Sequence, residues 1–126
     1  MFIILIALIA QELPAKITTD YVNFRFNTYR EIMKEGADSF DDGLTLSHNP
    51  YTNKWYDRQF YLAWQYGYKT ALRYEEGYFK HRNKDYDYKN GYRFGKNYQQ
   101  IEEGQSWDFI DGFLQGRKDC INSQIN

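Results

Sequence analysis

Only one cysteine, Cys120, occurs in the 126 residues, so the chain can form no internal disulfide, no cysteine zinc cluster and no CxxC redox pair. Such a chain suits a reducing compartment. Prolines and histidines are scarce too, with two of each. Pro14 and Pro50 are the only places where proline itself bars a helix. Neither His48 nor His81 has a second histidine or a cysteine three or four residues on, so the sequence offers no zinc site. The segment D85YDYKNG91 fails as a calcium loop: its glycine falls one position late, Lys89 takes a ligand position and Lys96 stands where the glutamate belongs. Paired carboxylates such as Asp41–Asp42, Glu75–Glu76 and Glu102–Glu103 point apart on a helix, which makes no acid–base couple. With no metal site, no cofactor motif and no activated nucleophile in view, the expectation is a binding protein and not an enzyme.

Long hydrophobic runs are also few. MFIILIALIA at 1–10 is well short of the roughly 20 residues that span a bilayer. No Lys or Arg precedes it, and Leu8 stands where a signal-peptide cut after Ala10 needs a small residue. Residues 1–15 are therefore set apart from a single domain at 16–126. Two readings stay open for them: a docked helix or strand, or a membrane-associating or mis-started N-terminus acting through residues 2–10. The expected location is cytoplasmic, with membrane association as the alternative.

Rings and glycines are abundant. Aromatic residues make up 20% of the chain and thirteen are tyrosines, whose hydroxyls favour half-buried or interfacial places. Val22, Phe26, Tyr29, Met33, Gly36, Phe40 and Gly43 follow steps of three and four, which places them on one helical face, with Thr19 or Asp20 as the cap. SHNPY at 47–51 reads as a turn. A second helix is expected from about Asn53, with Tyr56, Phe60, Trp64, Gly67, Ala71, Tyr74 and Tyr78 on its stripe. Two shorter helices follow, one carrying Tyr88, Gly91, Gly95 and Tyr98, the other starting at Ser106 and carrying Phe109, Gly112, Phe113 and Gly116. Period-two alternation is missing, so the fold class is all-α: about four helices in two hairpins, at 19–82 and 86–119.

An aromatic-x-x-glycine-aromatic pattern recurs at W64QYGY68, Y74EEGY78, Y88KNGY92 and F109IDGF113. A helical glycine costs about 0.8–1 kcal/mol relative to alanine, so these glycines need an offset. Close helix approach supplies one, each glycine leaving a notch for a ring of the facing helix. A notch left for a partner protein is the alternative, while Gly43, Gly77 and Gly104 are also C-cap candidates.

EGADSFDDGLTLSHNPY at 35–51, followed by AWQYGYKTA at 63–71, resembles the ribosome modulation factor family of small two-helix bacterial proteins. Gly36 and Gly43 match the outer small positions of the family's first helix, Pro50 and Tyr51 its Pro-Tyr pair, and Trp64, Gly67 and Tyr68 the motif of its second helix. Residues 88–116 look like a degenerate second copy. The resemblance implies contact with the ribosome through ribosomal RNA and reduced translation. Charge bears on the same question: residues 1–53 and 97–126 are each net −3, whereas 54–96 is net +5. Lys54, Arg58, Lys69, Arg73, Lys80, Arg82, Lys84, Lys89, Arg93 and Lys96 interleave there with aromatics, a mixture that suits RNA phosphates and splayed bases. An ordinary solvated face is the plainer explanation of the same residues. The competing functional class is a protein-interaction or inhibitor module that receives a partner in its aromatic and glycine notches.

Overall fold

The computed structural model describes residues 2–3, 18–76 and 83–125. Among these residues four helices carry the fold: α1 (Thr19–Asp41), α2 (Arg58–Glu75), α3 (Lys84–Lys96) and α4 (Trp107–Ile125). A 3-10 turn at Leu46–His48 lies between α1 and α2. Two short strands, β1 (Phe2–Ile3) and β2 (Ile101–Glu102), pair antiparallel with Phe2 opposite Glu102 and Ile3 opposite Ile101. The architecture is the expected small helical bundle. α2 packs on α1, α4 packs on α3, and the hairpins meet through α1 and α4, giving the spatial order α2–α1–α4–α3. One core joins them, with Phe26, Tyr29, Met33 and Trp64 from the first hairpin and Phe109, Ile110 and Phe113 from the second. Among the described residues no helix is long and apolar enough to cross a membrane.

Element ends follow local hydrogen bonding. The cap of α1 is Thr18, not Thr19 or Asp20, because its hydroxyl accepts the Tyr21 N–H at 3.1 Å. α2 starts at Arg58 and not near Asn53: the Asp57 carboxylate accepts the Thr52 N–H at 2.7 Å while the Asp57 N–H donates to the Lys54 carbonyl at 2.9 Å, which holds 52–57 as a turn. Tyr56 is thereby exposed and leaves the predicted stripe, and Tyr74 is exposed as well. α4 begins as expected, with the Ser106 hydroxyl accepting the Phe109 N–H and donating to buried Asp87 at 2.8 Å. It runs on to Ile125, past the predicted limit at 119, because Ile121 and Ile125 pack on the core.

Two helices end in the same way with different residues. Gly43 (φ +81°) follows α1, where the Gly43 and Leu44 N–H groups return to the Phe40 and Ser39 carbonyls. After α3 the left-handed position is held by Tyr98 (φ +57°), outside the helix whose stripe was expected to include it. Arg117 accounts for that exception. Its buried guanidinium donates to the Gly95 carbonyl at 2.8 Å and to the Gln99 carbonyl, and lies 4.4 Å from the Tyr98 ring centre. It thus caps the negative end of α3 from the neighbouring helix, and its burial lowers its pKa from the ordinary arginine value. Gly104 (φ +91°) belongs to the turn between β2 and α4, not to a helix end, and its N–H donates to the Thr70 hydroxyl.

The helical glycines form clasps. A Cβ on Gly36 would lie 2.0 Å from the Trp64 carbonyl oxygen, and one on Gly67 would lie 1.7 Å from that of Met33. The second hairpin repeats the arrangement with Gly91 on Phe109 and Gly112 on Tyr88. It adds a second clasp one turn on, with Gly95 on Phe113 and Gly116 on Tyr92. Each clasp is reciprocal, and the surface that enters the notch is main chain, not an inserted ring as the sequence suggested. Backbones this close permit Cα–H···O contacts as well as dense packing. The described helical notches are therefore filled from within, which removes them as seats for a partner helix. Gly77 lies outside the described residues.

Candidate nucleic-acid interface

The chain order of the basic residues does not survive as one surface, because α2 and α3 sit at opposite ends of the helix order. Lys54 lies in the turn before α2 and Arg58 at the start of that helix, both exposed, while Lys69 and Arg73 are half-buried further along it. Lys84, Lys89, Arg93 and Lys96 are exposed on α3. Lys80 and Arg82 lie outside the described residues.

Helical geometry selects a subset. On α3, Asp87, Gly91 and Gly95 are buried towards α4, so the opposite face is the one reached by steps of three and four from Tyr86. That face carries Tyr86, Lys89, Arg93 and Lys96. Tyr86 is 66% exposed, and no ion pair holds any of the three cations among the described residues. Asn90 flanks this face on one side and Asp85, exposed and four residues before Lys89, on the other, so the stripe opens beside one carboxylate and is basic from Lys89 to Lys96. Its acidic counterpart is α1, whose outward positions include Glu31, Glu35, Asp38 and Asp41 against the single cation Lys34.

A second basic and aromatic feature lies before α2. The Asn49 side chain accepts the Tyr51 N–H and donates to the Tyr61 carbonyl, and Arg58 donates to the Asn53 side chain, which fixes the turn at both ends. Trp55 stands on it 73% exposed beside Tyr56 at 53%. Helical periodicity puts Tyr56 in the core stripe and gives Trp55 no place. The signal was the run K54WYDR58, where two rings sit between cations in a turn.

A hollow of different character lies on the first hairpin. A cavity of about 590 Å³ opens between α1 and α2. Ala37, Ala71 and Trp107 give it apolar walls, Asp38, Asp41 and Glu75 give it carboxylates, and Lys34 adds a cation. Ala71 stands where the second hairpin has the clasping Gly116. Arg30 closes one side, 5.3 Å over the Trp107 ring and paired with Asp111 of α4 at 2.8 Å, a bond that raises the arginine pKa. With Arg30 paired to Asp111, the three carboxylates outnumber Lys34, so the wall is net acidic and suits a cationic group over a phosphate.

The matched family residues divide by role. Gly36 and Gly67 form the clasp, Trp64 and Tyr68 stack with ring centres 5.5 Å apart, and Gly43 makes the left-handed turn. Tyr51 donates to the Glu35 carboxylate at 3.2 Å and sits against Phe60, and Pro50 precedes it in the turn. None of these side chains belongs to the basic stripe. His48 accepts the Thr45 N–H as part of a capping box, and among the described residues no three His, Cys, Asp or Glu side chains gather where they could hold a metal ion. No protein-family model, curated protein or solved structure matches the chain.

Proposed function

We propose that this chain is a non-catalytic RNA-binding protein whose α3 stripe of Tyr86, Lys89, Arg93 and Lys96 tracks the phosphates of RNA or a ribonucleoprotein. The observation that carries the proposal is the alignment of three free cations and an exposed ring on the face turned away from the clasp. Phosphate contacts gain from counterion release, and an exposed tyrosine offers a stacking surface beside them. The acidic outer face of α1 repels the same polymer and so orients the protein with α3 inward. The resemblance of 35–51 and 63–71 to ribosome modulation factor makes ribosomal RNA the physiological ligand in this reading, with lowered translation as the result.

Fluorescence anisotropy with a labelled single-stranded RNA across a salt series tests it. The three stripe contacts alone contribute about −2 to the slope of log K against log salt on single-stranded RNA. The triple change Lys89→Glu, Arg93→Glu and Lys96→Glu removes the binding. Wild-type protein that leaves the anisotropy unchanged at low salt refutes the proposal. A protein-interaction role is the second reading. It rests on the cavity between α1 and α2, which fits a partner segment carrying a cationic side chain beside an apolar one.

A further inference from the structure

We infer that the Trp55 turn is a base-stacking site for single-stranded RNA, separate from the α3 stripe. The inference rests on the RNA-binding reading and adds where a base is held. An indole left 73% exposed forgoes most of the burial that makes tryptophan favourable in a core, although a well-formed core is available in the same hairpin, where Trp64 is 1% exposed. The turn that presents it is built. Thr52 and Lys54 close on Asp57, and Arg58 closes on Asn53, so the ring stands on hydrogen-bonded backbone and not on a trailing loop. Tyr56 stands perpendicular to the indole with ring centres 5.6 Å apart, so the two rings do not cover each other by stacking.

Charge chooses the occupant. Lys54 precedes the ring and Arg58 follows it, while the one carboxylate in the turn, Asp57, is half-buried and engaged by the Thr52 N–H. An exposed indole between two cations matches a base next to its own phosphates, since the ring accepts any base face and the cations take the flanking charges. A neutral protein surface would leave both cations without a counter-charge.

The test measures the affinity of a fluorescein-labelled oligouridylate for full-length wild type, Trp55→Ala, Trp55→Phe and the α3 triple variant. The expected result is a loss of about tenfold or more for Trp55→Ala, with most of the affinity kept by Trp55→Phe. Quenching of tryptophan emission by the RNA should be largest in wild type and mostly absent in Trp55→Ala. An unchanged thermal melt for Trp55→Ala separates this from a folding defect, since the ring is largely outside the core. Equal affinity of Trp55→Ala and wild type, with binding lost in the α3 triple variant, overturns the stacking site and leaves the RNA reading standing. Absence of RNA binding by the wild type overturns both. Vesicles of phosphatidylcholine with phosphatidylserine complete the set: Trp55-dependent vesicle binding with RNA affinity unaffected identifies a lipid-interface anchor and overturns the inference.

Discussion

Replacing Gly67 by alanine tests the clasp directly. On an exposed helix this change stabilises by about 0.8–1 kcal/mol through helix propensity. Here the new Cβ would lie 1.7 Å from the Met33 carbonyl oxygen, 2.5 Å from its carbon and 2.8 Å from its Cα, all main-chain atoms that no rotamer change can move aside. Ordinary contact needs about 3.5 Å, so α1 and α2 must separate by well over 1 Å at this point. A gap of about 0.5–1 Å already forfeits a quarter to a half of a dispersion contact, and the separation also opens the reciprocal contact at Gly36. Overpacking ordinarily costs about 1–3 kcal/mol, and a rigid obstacle places this case at the upper end. A net loss of about 3 kcal/mol should lower the urea midpoint by about 1.5 M if the slope is about 2 kcal/mol/M. Circular dichroism at 222 nm across a urea series measures it. Gly43→Ala is the companion: with nothing within 4 Å and φ +81°, it meets no steric obstacle and should cost only about 1–2 kcal/mol. If Gly67→Ala proves as stable as wild type or more so, the clasp is not what holds the first hairpin and the reasoning fails.

Ser106→Ala removes both the cap of α4 and a donor to buried Asp87, which predicts a loss of about 2 kcal/mol and a melting point lower by roughly 8 °C; a shift under 2 °C would show that the cap is dispensable. Tyr66 donates to the Glu102 carbonyl at 2.7 Å, and burial pushes its ionisation far above the usual tyrosine range. Its folded pKa is thus above the unfolded value of about 10, so its stabilising effect is complete below that pH and is lost as pH rises beyond it, by up to about 1.4 kcal/mol per pH unit. Urea midpoints taken at pH 8, 9.5 and 11 should fall more steeply for wild type than for Tyr66→Phe, and parallel curves would sink the assignment.

Periodicity made the helices legible because their buried stripes are long: Val22 to Met33 and Trp64 to Gly67 are where the spacing put them. Gly91, Gly95, Gly112 and Gly116 likewise read correctly as contact positions. Main-chain entry into the notches was not legible, since an aromatic-x-x-glycine pattern names the ring and is silent on the carbonyl. The ends were harder. Asp57 diverts 52–57 into a turn through bonds that periodicity does not encode, and this one departure moved Tyr56 out of the core and hid Trp55. The basic segment 54–96 looked continuous only along the chain; once α2 and α3 are placed on different hairpins, Lys89, Arg93 and Lys96 remain as a stripe while Lys69 and Arg73 belong elsewhere. Arg117 had no sequence signal at all. Its partners are carbonyls at the end of another helix, and a carbonyl carries no residue identity.

The clasps also determine what the chain is free to change. The carbonyls that enter the four Gly36, Gly67, Gly91 and Gly112 notches come from Trp64, Met33, Phe109 and Tyr88, four different side chains doing the same work. Helix register is thus written in backbone and in missing side chains, while the identity of the neighbouring rings is open to drift. Two such hairpins can diverge until little but the glycine spacing relates them, and still close in the same way.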